Sequence, residues 1–156
     1  MSDSLERLRE ARFIEVIAAD DEEIVGLWTK ALESYGDSGA RPLSRTGAFK
    51  LLYDAGRQAV MALVHAHGYR TKWTSAHHQA IFAAGAALAP ESLSSLIKQL
   101  ELQRGTRHDA EYSARREIGD EDVERMRTLV RAVLNDTASV LRSLRPHLRS
   151  RIKKLR

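Results

Sequence analysis

The chain has no cysteine. Disulfides, thiolate nucleophiles and zinc–thiolate sites are excluded with it, and several enzyme classes go with them. No apolar run approaches the roughly 18 residues needed to span a bilayer. The opening Met1-Ser2-Asp3-Ser4 lacks the basic start and apolar stretch of a signal peptide. The expectation is a soluble, cytoplasmic protein with no membrane span. Neither Gly-x-Gly-x-x-Gly nor Gly-Lys-Ser/Thr occurs, so no glycine-rich phosphate loop is present. Nothing marks a nucleophile elbow, which leaves a Ser-His-acid triad without support.

Acid is missing from one end. After Asp136 there is no Asp or Glu, while Arg142, Arg145, Arg149, Arg151, Lys153, Lys154 and Arg156 follow. Of a net charge of +4, +7 therefore sits in residues 137–156, and residues 1–136 carry −3. A body over residues 1–144 and a basic tail over 145–156 are the expected divisions. Arg149, Arg151, Lys153 and Lys154 form the tail's candidate contact set for the phosphates of RNA, DNA or an anionic membrane. The plainer reading is a solvated helix end whose cations suit the C-terminal dipole.

What is present is helical periodicity. With 156 residues, 43% of them hydrophobic, one bundle with a real core is the default, and no alternating run argues for a sheet. The pattern predicts helix one from Ser4 to Ala19 and helix two from the cap Asp20, either separate or as one kinked helix. A third helix is capped by Ser44 and closed by Gly68, carrying a small-residue stripe of Ala48, Ala55, Ala59, Ala62 and Ala66. Tyr69–Trp73 reads as an aromatic and basic loop. Ser75 then caps an alanine-rich helix that ends before Pro90, and Glu91 opens a helix whose stripe is Leu93, Leu96, Ile97 and Leu100. After a loop at 113–119, Asp120 caps a last helix with heptad-like Val123, Met126, Val130, Val133, Thr137, Val140 and Leu144, ended by Pro146.

Six histidines invite a metal, but their spacing does not supply one. His65 and His67 diverge on a helix, as do His77 and His78, and no Glu-x-x-His pair exists. No metal and no cofactor are expected. The concentrated chemistry lies in Arg104 to Tyr112. On a helix, Arg104 stacks with His108, Arg107 with Glu111, and His108 with Tyr112. Guanidinium, imidazole, carboxylate and phenol together can grip a phosphate and move a proton. A surface helix laced with Arg–Glu pairs has the same spacing. Gly105 argues against that plainer reading, since an exposed helix interior gains nothing for glycine's cost of roughly 1 kcal/mol; it marks a bend or a close backbone approach.

Three blocks in order, Tyr53-Asp54-Ala55-Gly56-Arg57 through Gly68-Tyr69-Arg70, then Ala76-His77-His78, then Arg104-x-x-Arg107-x-x-Ala110-Glu111-Tyr112, resemble the bacterial HEPN domains (higher eukaryotes and prokaryotes nucleotide-binding). The likeness covers roughly residues 44–142. It implies an all-α, up-and-down four-helix bundle with one or two extra short helices, often a homodimer. Catalytic HEPN members are metal-independent ribonucleases with an Arg-x(4–6)-His motif, many of them toxins or stress effectors; others bind nucleotides, RNA or protein partners. Here Glu111 stands where the catalytic histidine is expected, and His108 follows Arg104 with only three residues between.

A carboxylate at that place repels an RNA backbone. The preferred function is therefore a non-catalytic binding module that engages nucleic acid, a nucleotide or a protein partner through Arg104, Arg107, His108, Glu111 and Tyr112. One alternative is a metal-independent ribonuclease toxin, partnered by an antitoxin, with Arg107 stabilising the phosphate and His108 as acid or base. Another is a scaffolding bundle in which Arg107 and Glu111 pair internally.

Overall fold

A computed structural model describes residues 3–72, 77–112 and 117–156, with the backbone alone for His77 and for 107–112. The fold is all-α, a bundle of helices with one short two-stranded ribbon. Among the described residues no helix is long and apolar enough to cross a membrane.

Helix α1 spans Asp3–Glu10 and buries Leu5. It does not continue to Ala19. Arg12 takes a left-handed backbone, φ 62°, which a helix cannot carry, and the chain turns into strand β1, Ile14–Val16. Its partner is β2, Tyr69–Thr71, inside the segment expected to be a loop. The two are antiparallel, with Ile14 opposite Thr71, Glu15 opposite Arg70 and Val16 opposite Tyr69. Backbone bonds from Ile17 to Gly68 at 2.8 Å and from Lys72 to Phe13 at 2.9 Å extend the pairing. A Glu15–Arg70 ion pair crosses it. Ile14 and Val16 share one face of the strand, and burial falls off along it: Ile14 is buried and Val16 is exposed. Helices one and two are thus separate elements, divided by a strand.

Helix α2, Asp21–Asp37, starts where the acids predict. The Asp20 carboxylate accepts the backbone N–H groups of Glu22 at 2.8 Å and Glu23 at 3.2 Å, satisfying two of the four orphan donors of the first turn. Ile24, Trp28 and Ala31 form its buried stripe. Helix α3, Arg45–Ala66, begins with Ser44 Oγ accepting Gly47 N–H at 3.0 Å. It ends at Gly68, whose φ of 85° favours glycine.

Helix α3 is the hub. It packs against α2, against α4 (His77–Leu88), against α5 (Glu91–Tyr112) and against α6 (Asp120–Leu144). Its small-residue stripe explains how: Ala48, Ala55, Ala59, Ala62 and Ala66 are all buried, and two glycines let helices come closer still. A Cβ on Gly56 would stand 2.4 Å from Leu100 Cδ2, and one on Gly85 of α4 would stand 2.4 Å from Val60 Cγ1.

Helix α6 is capped by Gly119 rather than Asp120; the Asp122 carboxylate reaches back to accept Gly119 N–H at 2.9 Å. Its inward face also differs from the heptad reading. Leu134, Ala138 and Leu141 are buried, whereas Val140 is half-buried and Leu144 is 42% exposed. The reason lies beyond Pro146. The chain makes a 3-10 turn over Pro146–Leu148 and folds back along α6 and α2, so that α6 needs apolar residues on a second side. The proposed Ser75 cap and Trp73 lie outside the described residues.

Candidate functional site

Two regions carry the charge that the sequence singles out. The first is the C-terminal part of α5. The helix runs unbroken through Tyr112, so positions 104, 107, 108 and 111 continue, at spacings of three and four, the same helix side as Leu93, Ile97 and Leu100. Those three leucine and isoleucine side chains are buried, while Arg104 one turn later is exposed. By helix position, the apolar stripe is thus followed by the charged run along the same side of α5. At Gly105, α5 continues, and a Cβ there would meet no described atom within 4 Å, so no close approach is seen among the described residues. The side chains of Arg107, His108, Glu111 and Tyr112 lie outside the described residues.

The α3 partner block is built from Tyr53, Asp54 and Arg57. Tyr53 is fully buried, edge-on to Phe82 of α4 with ring centroids 5.8 Å apart. Arg57 donates to Met61 Sδ at 3.2 Å and stands 3.8 Å from the Asp54 carboxylate. Its Nε is buried without a hydrogen-bond partner among the described residues.

The second region is the segment 145–156, and here the structure adds what sequence reasoning missed. The segment is docked. Leu148 and Ile152 are 3% and 0% exposed, and Leu155 packs on the same core. Trp28 Nε1 of α2 donates to the Lys153 carbonyl at 3.0 Å. From α6, Arg142 Nε donates to the Ile152 carbonyl at 2.6 Å, Asn135 Oδ1 accepts Leu155 N–H at 3.0 Å, and Arg131 donates to the Arg156 carbonyl. The spacing of 148, 152 and 155, four then three, was the available signal; the density of cations around it hid it.

Docking sorts the cations. Arg145 turns inward to Asp21 at 3.4 Å and to the Ala66 carbonyl at 3.5 Å, and His147 Nε2 meets the other Asp21 oxygen at 2.7 Å. Arg151 grips Glu22 with two bonds, 2.7 and 2.9 Å. The Glu22 carboxyl is held below its ordinary range by that guanidinium. Arg149, Lys153 and Lys154 point outward and are exposed, with no carboxylate partner among the described residues. Three exposed cations with no described carboxylate partner thus stand on one docked segment, 149–154, the basic ridge of the chain.

His65 and His67 are occupied separately. His65 Nε2 accepts the Asp20 N–H at 3.1 Å, and His67 Nδ1 lies 2.9 Å from the Leu63 carbonyl. Among the described residues no three His, Asp or Glu side chains gather in a way that would hold a metal ion.

Comparison with models of known families, with curated proteins and with solved structures finds no match.

Proposed function

We propose that this chain is a non-catalytic, HEPN-like binding module that engages nucleic acid through its phosphate backbone. In this reading it works as a cytoplasmic homodimer, with the Arg104–Tyr112 turns of α5 as a second contact. The observation that carries the reading is the ridge of Arg149, Lys153 and Lys154, exposed on a docked segment and without a carboxylate partner among the described residues. Cations on a fixed backbone need little further ordering on binding, and each one that meets a phosphate releases a counterion. The likeness of the three sequence blocks to HEPN domains supports the type of module, and Glu111 at the place of the catalytic histidine supports binding over cleavage.

The test is fluorescence anisotropy with a single-stranded RNA and a duplex DNA over a range of salt. Binding should weaken with salt, and alanine at Arg149, Lys153 and Lys154 together should flatten the log–log slope for single strands by about 2. Unchanged affinity and slope sink the ridge as the contact. Incubation with RNA in chelator should leave it intact; cleavage that disappears in Arg107→Ala would replace this reading with the ribonuclease one.

A further inference from the structure

Resting on the nucleic-acid reading, we propose that Glu22 is an intramolecular mask on Arg151, keeping a fourth phosphate-gripping cation of the ridge out of use until the carboxylate is displaced. Arg151 lies between Arg149 and Lys153 in the chain and is exposed like them, yet among these ridge cations it alone is spent on a carboxylate. The contact is the two-bond fork, with Nη1 2.7 Å from Oε1 and Nη2 2.9 Å from Oε2. A guanidinium presents the same planar fork to a phosphate as to a carboxylate. A phosphate arriving at the ridge therefore replaces Glu22 without any rebuilding of Arg151.

Two features make the contact a mask rather than a structural clamp. Both side chains are open to water, 44% exposed for Arg151 and 76% for Glu22, and exposed pairs contribute little to stability. The docking of the segment also does not depend on the pair. It rests on buried Leu148 and Ile152 and on backbone bonds to Trp28, Arg142 and Asn135. Breaking the pair frees the cation and leaves the ridge in place. The neighbouring Asp21 contacts are of another kind, because Arg145 is part-buried and also bonded to a backbone carbonyl. Arg151 holds the Glu22 carboxyl below its ordinary value, so the mask is charged at neutral pH.

The experiment measures the salt dependence of single-stranded RNA binding for the full chain, Glu22→Gln, Arg151→Gln and the double variant. Amide exchange at Leu155 checks that the segment stays docked in each. Glu22→Gln should bind roughly two- to fivefold tighter, with a log–log slope steeper by about 0.7, one added phosphate contact. In the Arg151→Gln background the same change should add nothing to the slope. A slope increase that persists without Arg151 overturns the mask, as does wild-type binding whose slope Glu22→Gln leaves unaltered. If neither wild type nor Glu22→Gln binds RNA or DNA at low salt, the nucleic-acid reading itself fails, and the mask with it.

Discussion

At the scale of single residues, His65 shows how a polar group is tied to the fold without being a ligand. Its Nε2 accepts the Asp20 N–H, which is possible only for the neutral ring. Burial pushes its imidazole below the ordinary value of 6.5, against the smaller opposing pull of Glu23 and Asp20. A depressed folded value means that the neutral form is favoured by folding. The stabilisation is whole above about 6.5 and is lost as pH falls below it, towards the depressed value. In urea unfolding, the stability advantage of wild type over His65→Gln should therefore shrink between about pH 7.5 and pH 5. Parallel curves across that range would show that the proton is not coupled to folding here. The sequence placed His65 on a helix and set it apart from His67, but the bond to Asp20 joins residues 45 positions apart. No local pattern contains that information.

At the scale of elements, the helices were legible where a cap or a breaker stands in the chain, and hidden where pairing decides. Asp20, Ser44 and Gly68 act as the sequence predicts because capping is a contact within three or four residues. The ribbon was not legible: each strand is three residues long, too short for alternation to stand out from helical spacing, and each is a strand only because the other lies beside it. The polar run of α5 is helical, as its spacing predicts, whereas the close approach of Leu100 to Gly56 that seats this helix on α3 is a contact no local pattern contains. The same close approach gives a prediction for α3 and α4. A methyl at Gly85 would collide with Val60 Cγ1 at 2.4 Å, and a β-branched side chain in a helix has essentially one rotamer. Gly85→Ala should therefore lose about 1–3 kcal/mol by denaturant unfolding, despite alanine's better helix propensity. At Gly105, where a Cβ meets no described atom within 4 Å, the same change should gain up to about 1 kcal/mol. Equal effects at the two sites would refute the packing argument.

At the scale of the whole molecule, the last twelve residues matter most, because they join stability and charge geometry in one segment. Their composition alone, six cations and no acid, looks like a solvated end; three apolar residues among them decide otherwise. Ile152 is fully buried between α2 and α6, so Ile152→Ala removes a core side chain and should cost about 2–4 kcal/mol. It also tests whether the ridge works by position or by charge count, since every cation remains. If position matters, RNA affinity should fall in Ile152→Ala by more than any change in net charge explains, and amide exchange at Leu155 should quicken as its bond to Asn135 is lost. If affinity holds while Leu155 exchanges freely, the cations act as a loose polyelectrolyte, and the docked geometry serves the core alone. Chain entropy favours the first outcome: a segment pinned by Trp28, Asn135 and Arg142 has already lost the backbone freedom, about 1–2 kcal/mol per residue, that a loose tail gives up only when it binds.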